Sequence, residues 1–358
     1  MARFGIEEEF VLLDEETLVP LTIVEGMRQR VGQSPAGGRI MAEFLTSQFE
    51  TVTDPLTTTE EAGAQLRALR GRLGAQAGAE RAIVAGTGTP FATTRMVSVS
   101  SSPHYDVVAG QLAHITRGHE VNGLHVHVEL ADLEERVRAL NRVRGWLPVL
   151  LALTGNSPFV EGLSSRFASW RTILIRRLPA SWCPPRMHDY EDYRGHVDQL
   201  LALGAYTEAT SIGWAARISE RYPTVEVRVS DAQLDTDDTL FAAALTRAIV
   251  LSDDERVAPG EIDGIDASLW MAARHGMDSR VVDPTTGEVA NAWTVATRLL
   301  EVAHPVLQEH GDAEFVADRL GYLRTDGTGA QRQERAYQQD GIAGLRALYR
   351  RGTVDAAE

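Results

Sequence analysis

The chain has 358 residues, 44% of them hydrophobic and 24% charged, a balance typical of a globular protein with a full core. Its net charge of −15 argues against a nucleic-acid partner, because such proteins need a cationic surface to displace counterions from phosphates. ATP is still compatible with this charge, since divalent cations bridge carboxylates to phosphates. A single cysteine, Cys183, excludes an intrachain disulfide. With an acidic N-terminus and no apolar run of about 20 residues, these features predict a cytoplasmic protein without a membrane span.

Strand patterns dominate the first part of the chain and helical patterns the rest. We predict strands over 3–13, 39–52, 122–130 and 223–233, of which the second has an interruption, and over 82–91 a buried strand that runs into a loop. We predict helices over 60–79, 132–154 and 238–251, and a mostly helical chain from Ala267 on. Because strands and helices do not alternate regularly, an α+β fold with a largely antiparallel sheet is expected. Residues 1–358 are treated as one catalytic domain, sheet-rich over 1–235 and mostly helical over 236–358.

Polar side chains alternate with apolar ones in three of these strands. Successive side chains of a strand point to opposite faces, so Glu7 and Glu9 share one face of the first strand, and only Glu8 interrupts its apolar face. Two carboxylates at this spacing repel each other unless a cation lies between them. The pattern therefore predicts a cation near Glu7 and Glu9.

The strands 122–130 and 223–233 repeat this arrangement. One face of the first carries His125, His127 and Glu129, and one face of the second carries Glu226, Arg228 and Ser230. In one sheet, the three strands would form a polar floor suited to Mg²⁺ and phosphate, since carboxylates bind the metal and arginine binds phosphate. Carboxylates outnumber histidines and no cysteines cluster nearby, which favours magnesium over zinc.

Each of these strand patterns alone also has a simpler interpretation. The glutamates of the first strand fit a solvated face, and the histidines fit either exposed strand positions or a zinc site. The glutamate–arginine pair fits a cross-strand ion pair. Their common geometry favours one shared site over three separate explanations.

Six segments carry a family resemblance, in the same order along the chain. These segments are FGIEEEFVLLD, NGLHVHVEL, LLALTGNSPFVEG, FASWRT, TVEVRVSDAQLDTDD and DGTGAQRQ, and they span residues 4 to 333. The sequence thereby resembles the carboxylate–amine ligase branch of the glutamate–cysteine ligase superfamily, the glutamate–cysteine ligase type 2 family. The resemblance implies a glutamine-synthetase-like fold, in which an antiparallel sheet curves into a funnel and helices pack on its outer face.

The resemblance also implies roles for individual residues. The residues matched to metal ligands are Glu7, Glu9, His125, Glu226 and, with a weaker match through the segment AEFLTSQFE, Glu43 and Glu50. Those matched to nucleotide or phosphate contacts are Arg228, Arg171, His125 and His127, and the group assigned to catalysis is Arg228, Arg171 and Glu226. Glu43 and Glu50 have opposite parity, so a regular strand could not present both to one face; either a bulge intervenes or one is the ligand, and Glu50 is favoured.

The implied activity is an ATP- and Mg²⁺-dependent joining of a small glutamate-like acid to an amino-acid-like amine, through an acyl phosphate, giving a γ-glutamyl-type amide. Two alternatives stay open: a kinase that phosphorylates an amine or guanidine on the same scaffold, and a non-catalytic nucleotide- or metabolite-binding protein. The family histidine near Thr87 and the family cysteine at Asn122 are absent, which leaves the substrates' identities open. A homodimer is retained as a default expectation.

Overall fold

The computed structural model describes residues 2–23, 27, 36–93, 98–253 and 260–354. The strands are β1 (Phe4–Asp14), β2 (Arg39–Ala42), β3 (Gln48–Val52), β4 (Ala82–Ala85), β5 (Gly123–Glu129), β6 (Phe159–Val160), β7 (Leu163–Ser164), β8 (Ala216–Ile218), β9 (Thr224–Asp231), β10 (Arg280–Val282) and β11 (Val289–Asn291). The helices are α1 (Thr59–Ala79), α2 (Pro103–Leu112), α3 (Leu133–Thr154), α4 (Trp170–Ile175), α5 (Tyr190–Ala202), α6 (Thr236–Leu251), α7 (Ile262–His275), α8 (Ala292–His310), α9 (Ala313–Asp326) and α10 (Gly329–Val354).

One antiparallel sheet forms the centre of the molecule. Its strand order is β2-β3-β1-β5-β9-β8, and β4 pairs with the C-terminal end of β1. Every pairing in this sheet is antiparallel, as the sequence predicted. The pattern predicted over 39–52 is two strands, β2 and β3, which pair with each other. The long β1 therefore lies between β3 and β5, and Glu7 and Glu8 pair with both of these strands.

Helices cover the apolar face of the sheet. Ile6, Val126 and Val227 are almost fully buried there, in one core cluster with residues of α3 and α6. Alternation explains this burial, since apolar residues at every second position all point to the same side. The polar residues between them consequently face the opposite side of the sheet. No helix in the described ranges is long and apolar enough to cross a membrane.

Glu8 is the one charged residue of β1 on this apolar face, and it is fully buried. Arg70 of α1 donates from Nε to Glu8 Oε2 at 3.1 Å and also binds Oε1, and the Thr239 hydroxyl of α6 donates to Oε1 at 2.5 Å. A buried charge is tolerated only when it is paired and hydrogen-bonded. Glu8 therefore anchors α1 and α6 to the back of the sheet.

The chain after β9 differs from its prediction in one respect. The part from Ala267 on is mostly helical, but a small hairpin of β10 and β11 interrupts it. Helix α10 is also broken at Asp340 and Gly341, where Gly341 has a φ of +54° that favours glycine.

Candidate active site

Cross-strand pairing brings the predicted acidic and basic residues onto one face. Glu7 of β1 lies opposite His125 of β5. On the other edge of β1, Glu9 lies opposite Glu50 of β3. His127 of β5 in turn lies opposite Glu226 of β9. Because residues directly opposite each other point to the same side, four strands contribute to one polar surface.

Glu43 joins this surface from outside the strands. It follows β2, and its N–H donates to the carbonyl of Gln48 at 3.3 Å, so the chain turns back here before β3 begins. The parity argument against presenting both Glu43 and Glu50 fails, because the two acids do not lie on one continuous strand. Carboxylate oxygens of Glu9, Glu43 and Glu50 lie within 4.8 Å of one another.

Three overlapping groups of side chains have the spacing of a metal site. Each group offers ligand atoms that lie within 4.8 Å of one another. The groups are Glu7, His127 and Glu226; Glu7, Glu50 and His125; and Glu9, Glu43 and Glu50. The donors are carboxylate oxygens with one imidazole in two of the groups, a set in which carboxylates predominate and that suits magnesium.

The electrostatics of the third group favour a cation. Burial and, to a smaller extent, the negative charge of Glu9 together raise the pKa of Glu43 to about 8. Burial and the charge of Glu43 likewise raise the pKa of Glu50 well above its usual value. Three carboxylates this close cannot all ionise at low cost without a neutralising charge, and a divalent ion supplies one.

The other acids are already stabilised as anions by basic neighbours. Burial opposes ionisation of Glu7, but the neighbouring imidazoles of His125 and His127 hold its pKa well below the usual range. Its carboxylate lies 3.3 Å from His125 Nδ1 and 3.4 Å from His127 Nε2. Burial opposes ionisation of Glu226 as well, yet Arg228 and Arg217 keep its pKa low.

A β-bulge determines where Arg228 points. Between the pairs Leu124–Ser230 and Val126–Val227, one residue of β5 faces two residues of β9, Arg228 and Val229. Arg228 ion-pairs with Glu226, and its Nη1 lies 3.4 Å from His125 Nδ1. The extra residue reverses the parity beyond it. The prediction that Ser230 shares the polar face was therefore wrong: Ser230 lies opposite Leu124 on the apolar face.

Asp231 takes the place on the polar face that was predicted for Ser230. It is fully buried, and its carboxylate accepts hydrogen bonds from the Asn156 N–H at 2.8 Å, the Ser157 hydroxyl at 2.7 Å and the Ser169 hydroxyl at 2.8 Å. Arg171 Nη1 lies 3.7 Å from the same carboxylate. Asp231 is part of the TVEVRVSD segment, but regular alternation placed it on the wrong face.

Arg171 is held beside the acids from the irregular segment that follows α3. It is in the first turn of α4, where Ser169 caps the helix. Gly123 makes room for it, because a Cβ there would lie 2.5 Å from Arg171 Nη2. The Gly123 N–H also donates to Glu9 Oε2 at 2.5 Å. A single glycine thus fixes one acid and admits the arginine.

Arg217 is a site residue that the sequence reasoning missed. It lies on β8 opposite Glu226 and donates from Nε to that carboxylate at 2.7 Å. The signal was weak, since β8 has only three residues and its alternation of Ala216, Arg217 and Ile218 is too short to stand out.

Of the cavities that adjoin the acids, two have Arg228 as their only shared lining residue. The first, called the Arg171 cavity, has a volume of about 170 Å³ and is lined by Glu9, His125, Arg171 and Trp182 among others. The second, called the Glu226 cavity, has a volume of about 230 Å³, and its lining includes Glu7, Glu50, Arg217, Tyr222 and Glu226. The three groups of candidate metal ligands therefore lie where these two cavities meet.

Comparison with known proteins identifies the family. The model of glutamate-cysteine ligase family 2 matches residues 3–351. The chain belongs to this family. A Saccharopolyspora erythraea relative with the provisional name glutamate–cysteine ligase 2-1 is 36% identical, over 94% of this chain and 90% of its own length. A Nocardia farcinica relative with the same provisional name is also 36% identical, over 94% and 89%.

Solved structures support the fold. A glutamate–cysteine ligase from Francisella tularensis in complex with AMP aligns with a TM-score of 0.75 at 15% identity, over 99% of this chain and 89% of that one. A bifunctional glutathione synthetase from Pasteurella multocida aligns with a TM-score of 0.68 at 15% identity, over 99% and 52%. The predicted family and fold are confirmed, and this member of glutamate-cysteine ligase family 2 is a carboxylate–amine ligase.

Proposed function

We propose that this family member is an ATP- and Mg²⁺-dependent ligase that forms an amide through an acyl phosphate. The observation that carries the proposal is the row of acidic groups where the Arg171 and Glu226 cavities meet, with Arg228 lining both. A phosphoryl group that passes from a nucleotide to an acid needs this arrangement of two binding spaces and neutralised charge between them.

Nine residues of the chain would hold the metal and the phosphates. The three groups around Glu7, Glu50 and Glu9 would bind the ions, and bound Mg²⁺ would neutralise the charge of the triphosphate. Arg228 and Arg171 would stabilise charge on the γ-phosphoryl group as it moves, because preorganised cations cost no reorganisation during the reaction. The other members are His125, His127 and Glu226, and Glu43 completes the ligands around Glu9.

We assign the nucleotide to the Glu226 cavity and the acid to the Arg171 cavity. In the first, Arg217 and Arg228 offer guanidinium groups for phosphates. In the second, the buried Nε of Arg171 and indole N–H of Trp182 have no hydrogen-bond partner in the described part of the chain, so both are available to a substrate carboxylate.

The proposed reaction has two steps. A carboxylate oxygen of the glutamate-like acid attacks the γ-phosphorus, the bond to the β-γ bridging oxygen breaks, and ADP leaves. The nitrogen of an amino-acid-like amine then attacks the acyl carbon, loses a proton, and inorganic phosphate leaves with the electron pair of the acyl–oxygen bond. Neither step uses a cysteine nucleophile, and Cys183 is buried, with a pKa that burial raises to about 12.

Glu226→Gln tests the proposal. We expect ADP formation to fall at least about a hundredfold, because the change removes a carboxylate from one proposed metal group and from Arg228. ADP release with glutamate and a panel of amines is the measurement, followed by mass analysis of the product. Glu314→Gln, at an exposed position of α9, is the matched control.

Full activity of Glu226→Gln would overturn the assignment. The product distinguishes the open alternatives. An amide with free phosphate supports the ligase reaction, and a stable phosphorylated amine or guanidine supports a kinase. Binding of Mg·ATP without turnover across the panel supports a non-catalytic protein.

A further inference from the structure

A separate cavity of about 320 Å³ lies beside the C-terminal helices. It is lined by residues that follow β9 and by residues of α9 and α10, among them Leu234, Asp235, Tyr322, Arg332, Arg335 and Arg351. It shares no lining residue with the Arg171 and Glu226 cavities. Three arginines against one aspartate make this lining strongly cationic.

This positive charge contrasts with the rest of the chain. Helix α10 carries five arginines and two acids, Glu334 and Asp340, while the whole chain has a net charge of −15. A local excess of positive charge in an acidic protein attracts small anions to that point of its surface.

Arg332 gives the cavity a rigid cationic wall. It is 8% exposed, its Nη1 lies 2.9 Å from Asp235, and it also pairs with Asp238. Arg319 binds the same two carboxylates at 2.7 and 2.6 Å. Two arginines therefore balance two aspartates. The Nε of Arg332 is buried and has no hydrogen-bond partner within the described residues.

Arg335 and Arg351 provide charge that is not balanced. Both are exposed, and across residues 36–93, 98–253 and 260–354 no carboxylate lies within ion-pair distance of either. Arg335 is held in place, because its Nη2 donates to the Asp326 carbonyl at 2.5 Å. Two guanidinium groups at one cavity wall match the fork-like recognition of phosphates and carboxylates.

We propose that this C-terminal cavity binds a small anion with a phosphate or carboxylate group, held by Arg335 and Arg351 with Arg332 behind them. Tyr322 and Leu234 supply an aromatic and an apolar wall for the carbon part of such a ligand. Both anion classes share the chemistry that the arginines recognise, and only the experiment separates them.

The cavity is linked to the ligase site through hydrogen bonds. Gln333, next to Arg332, donates to the Asn156 carbonyl at 2.9 Å, and the Asn156 N–H donates to Asp231, which lies beside Arg171. The start of α10 is therefore part of the hydrogen-bonded support of Arg171.

Isothermal titration of the full chain with inorganic phosphate, and separately with malonate, tests the proposal in a buffer free of both. Arg335→Ala/Arg351→Ala should weaken binding of at least one probe about tenfold or more, because it removes charge-assisted hydrogen bonds. Arg138→Ala, at an exposed arginine of α3, is the control and should leave binding unchanged. Arg171→Ala/Arg228→Ala removes the two guanidinium groups proposed to hold phosphate and carboxylate at the ligase site, so heat that remains in this variant is assigned to the C-terminal cavity.

The two probes identify the ligand class. Loss of phosphate binding alone in the double variant identifies a phosphate compound, and loss of malonate binding alone identifies a carboxylate. If both probes bind the double variant as they bind the Arg138→Ala control, or if neither binds the unaltered chain, the proposal is overturned. Arg351→Ala alone should give a partial loss, which separates the effect from a folding defect.

Discussion

Asp231 shows how much of the site depends on residues that no substrate needs to touch. Its carboxylate accepts three hydrogen bonds from the segment that precedes α4, and it lies beside the Arg171 guanidinium. Burial raises the pKa of Asp231, whereas Arg171 and the Ser157 hydroxyl act in the opposite direction. Asp231 is therefore a positioning residue that fixes Arg171 over the Arg171 cavity.

Asp231→Asn should impair binding of the acid more than binding of ATP. We expect the KM for the acid to rise about tenfold or more, because an amide cannot accept all three bonds and Arg171 loses its charged partner. Initial rates at varied acid and varied ATP measure the two KM values. Asp318→Asn, at an exposed position of α9, is the control. An equal rise in both KM values would indicate a general loss of structure instead.

At the scale of elements, the alternation of polar and apolar residues correctly predicted which side chains of β1, β5 and β9 share a face, wherever the strand is regular. It placed Glu7, Glu9, His125, His127 and Glu226 on one side, and register then brought them together. It could not predict the bulge in β9, because one extra residue leaves no mark in an alternating pattern. It also could not predict that the chain reverses after Glu43, since a turn of ordinary residues resembles an interrupted strand.

The Glu43 carboxyl should make the free energy of unfolding depend on pH when no metal is bound. With a pKa of about 8 in the folded chain against 4.5 ordinarily, Glu43 makes the folded state bind more protons than the unfolded state between these values. The free energy of unfolding should therefore fall as the pH rises from about 6.5 to about 8 in EDTA. Chemical denaturation at both pH values measures it.

Two controls belong to this pH experiment. In the Glu43→Gln variant the free energy of unfolding should fall less steeply with pH, since the amide does not titrate. In the unaltered chain Mg²⁺ should reduce the fall in this free energy, because a cation favours the ionised carboxylates. The same slope in Glu43→Gln and in the unaltered chain would contradict the assigned environment of this acid.

At the scale of the whole molecule, Arg70 connects parts that are far apart in sequence. Besides binding Glu8, it donates to the carbonyls of Leu234 at 3.1 Å and Gly352 at 3.2 Å. A single guanidinium group thus holds the back of β1, the segment after β9 and the end of α10. The sequence showed that Glu8 lies on the apolar face of its strand, but it did not show that Arg70, 62 residues away, is its partner.

Arg70→Met should lower the free energy of unfolding by about 3–5 kcal/mol, because it leaves the Glu8 carboxylate buried without its charge partner. Urea denaturation measures the change. Arg67→Met is the control, since Arg67 is an exposed arginine of the same helix whose only described ion pair, with Asp237, is 3.6 Å long. A difference below about 1 kcal/mol between the two variants would contradict this role.

Because β1 pairs with β3 and β5, a shift in its register disrupts two strand pairings at once. A slip of one position would turn Glu7 and Glu9 into the helix-covered interior and Ile6 and Phe10 onto the polar face of the sheet. Such a misaligned chain would lose its core and its ion-binding ability in the same step. Divalent ions present during folding would therefore stabilise only the correctly aligned chain.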